Sequence, residues 1–251
     1  MEDLKKITNQ LRKELMLMHA KANMPHIGSN LSCIDILATL YCKVIKKNDR
    51  FILSKGHSAL ALYTVLHYQG IISDEVYQSI GENGSLLAEH PIYGLKGIEA
   101  ATGSLGHGLP IGAGMALCNK FNKKEGKIYV LLSDGECQEG STLEAMNFIA
   151  RFSLHNLTAI IDANKWQAYD RTLLDMKRVK DEFFSAGWNV KEIDGHNHSE
   201  IYAALTVPTS APLLIIAHTI LGKGVAELED KLLSHYKPPS KEQANSFMPE
   251  A

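Results

Sequence analysis

The sequence lacks the features that mark secreted, membrane-spanning and nucleic-acid-binding proteins. Its four cysteines form no CxxC pair, so neither a zinc finger nor a dithiol redox motif is indicated. No apolar run approaches the roughly 20 residues that a membrane-spanning helix needs. The first residues have no signal-peptide layout, and the net charge is −2 without any basic run. We therefore expect a cytoplasmic protein with buried, reduced thiols, which has neither a membrane nor a nucleic acid as partner.

The composition is that of an ordinary globular protein. Of the 251 residues, 45% are hydrophobic and 22% are charged, which allows a sizeable apolar core. No GxGxxG motif follows an early strand, so a Rossmann-type dinucleotide enzyme is not favoured. No internal repeat or low-complexity tract interrupts the chain, and we predict a single domain over residues 1–251.

Hydrophobic periodicity predicts alternating helices and strands. Apolar side chains recur at spacings of three and four from Leu4 to Ala22, as in an amphipathic helix, and Ser32 is a candidate N-cap for a second helix. That second helix is predicted at 34–45, and further helices are predicted at 58–68, 109–121, 141–152, 175–186 and 199–206. Strands are predicted at 51–53, 128–132, 157–161, 188–193 and 213–217. The alternation predicts an α/β fold with a doubly wound, mainly parallel sheet flanked by helices. Residues 81–108 are predicted to be loop, and residues 237–251 a flexible or partner-docking tail.

Oxygen-bearing side chains follow two of the predicted strands. The segment IYVLLSD ends in Asp134, and LTAIIDAN ends in Asn164 about 30 residues later. In a parallel sheet the strand C-termini meet at one edge, where ligands bind. Each residue offers a hard oxygen to a cation, and Gly135 lets the backbone approach a phosphate group closely. The pattern fits Mg²⁺ holding a diphosphate. The alternative is that Asp134 caps the following helix and Asn164 forms an ordinary turn.

These segments resemble the transketolase family of thiamine diphosphate enzymes. SDG followed by Asn164 resembles the GDG…N motif of such enzymes, with Ser133 in place of the leading glycine. Other stretches resemble family motifs in the same order: MPHIGSN, SKGHSALALY, EHPIYG, TGSLGHG and HTILGKGV. The resemblance extends from about residue 10 to about residue 240. It implies the diphosphate-binding domain of the thiamine diphosphate-binding fold.

The resemblance also implies a cofactor site. Thiamine diphosphate would bind with a divalent cation, Mg²⁺ or in its place Ca²⁺ or Mn²⁺. The metal ligands would be Asp134, Asn164 and the backbone carbonyl of Trp166. Further cofactor contacts would come from four residues, His57, Gly103, Leu105 and Gly135. The loop TGSLG would support the V-shaped conformation of the cofactor, whereas without a ligand the same loop would be a plain tight turn.

Three histidines take the implied catalytic roles. His90 would lie near the reacting carbons, while His26 and His235 would contact substrate oxygens. Imidazole suits these contacts because it donates or accepts hydrogen bonds near neutral pH. His107 replaces the commoner glutamine of the family motif, and its role is open. Glu139 resembles an acidic residue that the family buries near the contact between active sites, but a carboxylate at a helix N-terminus explains it equally well.

The resemblance further implies that the chain needs a partner. In full-length transketolases a second domain supplies the glutamate that bonds the aminopyrimidine ring and the arginines that grip the sugar phosphate. We expect these on a C-terminal transketolase subunit with the pyrimidine-binding domain, in an α2β2 assembly. The complex would transfer a two-carbon ketol unit from a ketose, usually phosphorylated, to an aldose acceptor. The segment before Phe51 is shorter than in typical members, which would alter the rim of the site.

Two alternatives compete with this hypothesis. The first is an α subunit of another thiamine enzyme, such as a 2-oxo acid dehydrogenase E1, which the SKGH and TGSLGHG segments disfavour. The second is a non-catalytic cofactor-binding subunit, which the intact metal ligands and four matching histidines disfavour.

Overall fold

The structure is a computed structural model that describes residues 1–247. Residues 1–247 contain five strands: β1 (Arg50–Leu53), β2 (Ile128–Ser133), β3 (Leu157–Ala163), β4 (Asn189–Asp194) and β5 (Leu213–His218). The α-helices are α1 (Glu2–Ala22), α2 (Ile27–Thr39), α3 (Ala59–Tyr68), α4 (Asp74–Gln78), α5 (Gly108–Phe121), α6 (Gly140–Arg151), α7 (Met176–Ser185), α8 (His198–Thr206), α9 (Leu233–Tyr236) and α10 (Lys241–Ser246). A π-helical turn, Leu40–Val44, extends α2. The predicted strands are all confirmed to within a residue or two.

The strands form one parallel sheet in the order β1-β2-β3-β5-β4. Every residue of β2 and β3 is buried, as expected for strands whose sheet is covered on both faces. Edge strand β4 is largely exposed and carries alternating polar residues. The predicted parallel α/β fold is confirmed.

Successive side chains of the strands enter two separate cores, because side chains alternate across a sheet. On one face, residues such as Leu53 and Leu131 pack against α1, α2, α3 and α8. On the other face, residues such as Ile52 and Val130 pack against α5, α6 and α7. The sheet is therefore held rigidly between two helical layers, and its carboxyl edge is free to carry loops.

The second helix begins earlier than predicted. It starts at Ile27, whereas the sequence pattern suggested residue 34 with Ser32 as N-cap. Ser32 instead lies inside α2, where its hydroxyl donates to Asp162 at 2.6 Å and to the Ser29 carbonyl at 3.0 Å. All of α2 is buried, so tertiary contacts outweigh the weak helix propensity of its glycine and serines. The early start places His26 at the N-terminus of the helix, beside the sheet edge.

The predicted tail contains a short helix. Helix α10 begins with a capping box between Ser240 and Gln243. Ala244 is buried in the core, and Phe247 packs against it. Capping and apolar burial place residues 241–247 against α1, within the segment 237–251 that was predicted to be a flexible or partner-docking tail. Residues 248–251 lie outside the described residues, and partner docking by the tail stays a prediction.

Two further expectations concern thiols and membranes. Cys33 and Cys137 are buried as expected, but Cys42 is half-buried and Cys118 is exposed on the outer face of α5. All four thiols are free. Within residues 1–247, none of the helices combines the length and apolar character needed to cross a membrane.

Candidate active site

The carboxyl edge of the sheet opens into a cleft with a volume of about 400 Å³. Nine of the ten predicted site residues line it, and they come from loops far apart in the chain. They are His26, His57, His90, Gly103, Leu105, Gly135, Asn164, Trp166 and His235. The tenth, Asp134, is buried, with 1% of its surface exposed, immediately before Gly135 in the chain. The convergence follows from the parallel topology, which brings strand C-termini to one edge.

The loops after β2 and β3 are bonded to each other through Asp134. One carboxylate oxygen accepts from the Gly135 N–H and the other from the Lys165 N–H, each at 2.8 Å. Next to Lys165, the Asn164 side-chain oxygen accepts from the Trp166 N–H at 3.0 Å. Asp134 caps only a short 3₁₀ turn, Gly135–Gln138, so it does not cap α6 as the alternative interpretation required.

The chain alone compensates the charge of Asp134 poorly. Burial, followed by repulsion from Asp162, raises the pKa of Asp134 to about 7. A divalent cation beside the carboxylate would reverse this shift, because opposite charge favours the ionised form. Within residues 1–247, His, Cys, Asp and Glu side chains nowhere form a metal-binding group of three. The expected ligands are instead one carboxylate, one amide oxygen and one backbone carbonyl, a set of hard oxygens that fits Mg²⁺.

A buried ion pair beneath the cleft is missing from the sequence-based site. Lys55 and Asp162 are both fully buried and form a salt bridge. Asp162 also accepts from the Ser32 and Thr219 hydroxyls. Burial alone would raise the pKa of Asp162, but the Lys55 ammonium and these donors hold that pKa below its usual range. The available signal was a charged residue inside the apolar strand LTAIIDA, since an unpaired charge in a protein interior is too costly.

The four predicted histidines form one cluster in the cleft. The ring centroid of His26 lies 4.7 Å from that of His235, 5.5 Å from His57 and 6.4 Å from His90. The His26 N–H donates to the His235 carbonyl at 2.9 Å, and its ring nitrogen lies 3.0 Å from Glu89. His26 also adopts the left-handed backbone conformation, with φ of 68°. Such strain in a residue other than glycine is typical of ligand sites.

Burial favours the neutral form of three imidazoles in this cluster. It lowers the pKa of His235 to about 4, with His26 and Lys55 adding to the shift. Burial and then Lys55 hold the pKa of His57 well below its usual value. The pKa of His26 is also lowered, mainly by burial, although Glu89 opposes the shift. A neutral imidazole has one donor and one acceptor nitrogen, so this wall of the cleft suits hydroxyl and carbonyl groups.

The TGSLG loop closes one side of the cleft. A Cβ on Gly103 would lie 3.2 Å from the His90 ring, so only glycine fits easily here. Thr102 donates its hydroxyl to the Leu53 carbonyl at 2.6 Å, which joins the loop to the end of β1. The fully buried Glu136 accepts from the Gly106 N–H at 2.9 Å. Glu136 was visible in the sequence only as part of the SDGE run.

Two residues with open roles occupy different places. His107 lies just before α5, is exposed and does not line the cleft. Glu139 does line the cleft, and it is also the N-cap residue of α6. Both roles considered for Glu139 are consistent with that position.

Comparison with known proteins gives a family and several relatives. The family model of the transketolase thiamine diphosphate binding domain matches residues 4–247. The chain is 39% identical to one subunit of the apulose-4-phosphate transketolase of Phocaeicola vulgatus, covering 96% of this chain and 91% of that protein. It is 35% identical to a 6-deoxy-6-sulfo-D-fructose transketolase subunit from Clostridium, covering 93% and 90%.

Longer proteins match as well. Human transketolase is 35% identical over the whole of this chain, which spans only 42% of that protein. Among solved structures, the transketolase of Campylobacter jejuni superposes with a TM-score of 0.90 at 33% identity. That match covers 98% of this chain and 43% of the other.

Proposed function

The chain belongs to the transketolase family, as its thiamine diphosphate-binding domain, and on this premise we propose that it is the N-terminal subunit of a two-subunit transketolase. The complex transfers a two-carbon ketol unit from a ketose to an aldose acceptor. Two relatives of similar length, each named as one subunit of a transketolase for an unusual sugar, support the two-subunit organisation. Their names also favour phosphorylated or otherwise anionic ketoses as the substrate class.

The observation that carries this proposal is the convergence of predicted residues on one cleft. Four histidines, the TGSLG loop and the loops after β2 and β3 come from distant parts of the sequence. A protein that merely kept the fold would not need four imidazoles facing a cavity. The same convergence disfavours a non-catalytic role, and the matched family disfavours a 2-oxo acid dehydrogenase subunit.

Each part of the cleft has a task in the proposed reaction. Asp134, Asn164 and the Trp166 carbonyl hold Mg²⁺, which compensates the charge of a diphosphate. When bound, thiamine diphosphate supplies the nucleophilic carbon of its thiazolium ring. Gly135 and His57 contact the diphosphate, while Gly103 and Leu105 support the shape of the cofactor.

The histidines act on the sugar. His90 donates to the oxygen on which negative charge develops, because an oriented donor stabilises that charge best in a site that excludes water. His26 and His235 bind substrate hydroxyls and fix the reacting carbons in place. Their neutrality permits both donation and acceptance.

The partner completes the site in this proposal. As far as residues 1–247 show, the lining of the cleft contains no lysine or arginine. A basic group for a phosphate on the substrate must then come from another chain, as must the carboxylate that activates the aminopyrimidine ring. We propose a C-terminal subunit with a pyrimidine-binding domain, assembled as α2β2 in the cytoplasm.

The test is reconstitution. The chain is purified alone and together with a candidate C-terminal subunit, and ketol transfer is assayed with thiamine diphosphate and Mg²⁺. We expect activity only in the mixture. Turnover by the verified single chain would overturn the two-subunit proposal, and oxidative decarboxylation of 2-oxo acids by the mixture would favour the dehydrogenase alternative.

A further inference from the structure

Glu136 is a buried carboxylate at the junction of three loops, and the proposed chemistry leaves it without a task. It has no exposed surface and does not line the cleft. The loops around it follow β1, precede α5 and follow β2. Burying a carboxylate is costly unless hydrogen bonds compensate, so its contacts indicate what it does there.

One oxygen of Glu136 anchors the loop that precedes α5. It accepts from the Gly106 N–H at 2.9 Å and from the Ser54 hydroxyl. The Ser54 oxygen in turn accepts from the Gly108 N–H at 3.2 Å. Glu136 thus holds the backbone N–H groups on both sides of His107. It binds that of Gly106 directly and that of Gly108 through Ser54.

The backbone of this loop packs so closely against neighbouring residues that side chains at positions 106 and 108 would not fit. A Cβ on Gly106 would lie 2.5 Å from the Ser141 hydroxyl oxygen, and the residue has φ of 81°. A Cβ on Gly108 would overlap the side chain of Ser54. Because both glycines lack side chains, the position of the loop depends on its backbone hydrogen bonds. Glu136 accepts the one from the Gly106 N–H.

Glu136 itself lies in the turn after β2, and its other oxygen bonds the last residue of that strand. It accepts from the Ser133 N–H at 2.9 Å. Ser133 directly precedes Asp134, the expected metal ligand. A single side chain therefore joins the loop that carries Leu105 to the loop that carries the metal ligand.

From this geometry we infer that Glu136 is a positioning residue, which holds Leu105 in register with the metal-binding loop so that the ring portion of the cofactor is seated correctly. The inference rests on the proposed function of the cleft. All three closest partners of Glu136 are donors, so an amide in its place would turn an NH₂ group toward one of them. Glu136→Gln keeps the size of the side chain and disturbs only this bonding.

The first experiment uses the full chain alone and needs no cofactor. Hydrogen exchange at the Gly106, Gly108 and Ser133 amides is compared between wild type, Glu136→Gln and the control Glu144→Gln, which changes an exposed glutamate on α6. We expect exchange to be about tenfold faster in Glu136→Gln at Gly106 or at Ser133, whichever amide faces the NH₂ group, the effect of losing one strong hydrogen bond. Exchange in Glu144→Gln should match wild type. Unchanged exchange at both Gly106 and Ser133 in Glu136→Gln would overturn the inference.

The second experiment uses the assembled complex and two probes. Calorimetry compares the affinity for thiamine diphosphate with that for inorganic diphosphate, each with Mg²⁺. We expect Glu136→Gln to weaken thiamine diphosphate about tenfold and inorganic diphosphate less than about threefold, since only the former has a ring to seat. Equal losses for both probes would mean a general structural role and would overturn the inference.

A milder variant guards against failure to fold. Ser54→Ala removes the link to Gly108 and one donor to Glu136, and we expect faster exchange at Gly108 with the same selective loss of thiamine diphosphate. Unchanged exchange at Gly108 would contradict the network. Failure of the wild-type complex to bind thiamine diphosphate would instead overturn the proposed function, whatever the exchange results.

Discussion

Asp134 and Asp162 are two buried aspartates at the carboxyl ends of neighbouring strands, and they differ in the groups that compensate their negative charge. Ser133, next to Asp134, pairs in register with Asp162. Asp162 is bonded to the buried Lys55 ammonium and to two hydroxyls, and its pKa lies below the usual range. Asp134 is bonded to two backbone N–H groups, and burial raises its pKa to about 7.

The difference is between a carboxylate that the chain itself pairs with a cation and one that we propose as a metal ligand. The chain itself supplies the counter-charge of Asp162, so that pair belongs to the folded frame. Asp134 is oriented by its N–H donors, and under the proposed function a divalent cation would balance its charge. Functional sites commonly retain such locally unfavourable groups. Substitutions at the two aspartates and around them can therefore break or sharpen this contrast.

Removing Asp134 should have the largest effect. We expect Asp134→Ala to abolish cofactor-dependent activity of the assembled enzyme and to weaken thiamine diphosphate by more than about 100-fold. Even changes to groups behind metal ligands cost about 10–100-fold in affinity, and a ligand matters more. Calorimetry with Mg²⁺ measures this, with Asp181→Ala on the surface of α7 as control. Unchanged affinity in Asp134→Ala would disprove the metal assignment.

Breaking the Lys55–Asp162 pair should affect folding instead. We expect Lys55→Met to lower the free energy of unfolding of the metal-free chain by about 3–5 kcal/mol, because Asp162 becomes an unpaired buried charge. Asp134→Asn should change it by only about 1 kcal/mol, since relief of charge burial offsets the loss of one N–H acceptor. Denaturant unfolding measures both. Equal losses in the two variants would remove the contrast between the aspartates.

A second contrast is expected between His90, which should act in turnover, and His57, which should act in cofactor binding. We expect His90→Ala to reduce turnover about 100-fold, or about 3 kcal/mol, with little change in cofactor affinity, because a lost donor mainly raises the barrier. His57→Ala should mainly weaken the cofactor, since its expected partner is the diphosphate. Steady-state kinetics at limiting and saturating cofactor distinguish the two. Wild-type turnover by His90→Ala at saturating cofactor would refute its role.

The last prediction concerns His19, a buried histidine away from the metal-binding loops whose neutral form is favoured. Burial lowers the pKa of His19 to about 4, although its bond to the Met24 carbonyl opposes the shift. Between about pH 6.5 and pH 4 the unfolded chain therefore binds a proton at His19 that the folded chain does not. This difference in proton binding does not affect the free energy of unfolding above pH 6.5. As the pH falls from 6.5 toward 4 it lowers the free energy of unfolding, by at most about 3 kcal/mol.

His19→Gln tests this, because glutamine keeps a donor but does not titrate. We expect a flatter fall in the free energy of unfolding between pH 6.5 and pH 4, measured by urea denaturation. An unchanged pH profile would show that His19 titrates alike in both states.

The sequence predicted the fold well because parallel strands buried on both faces read as apolar runs such as IYVLLS and LTAIIDA. It missed the start of α2, because Ser32 looks like an N-cap and only its bond to Asp162 shows that the helix continues through it. It did not predict α10, because a short polar helix with one buried alanine has no periodic pattern.

By itself the sequence determined which side chains could carry chemistry: the oxygen ligands at strand ends, the four histidines and the glycine loop all follow from local motifs. Only the tertiary structure decided how their charges are balanced. Lys55 and Asp162 are separated by 107 positions, and Glu136 and Ser54 by 82, so no local pattern links them. A partner for a buried charge is chosen by distance in the folded interior, where an unbalanced charge is costly, and that distance exists only once the sheet has formed.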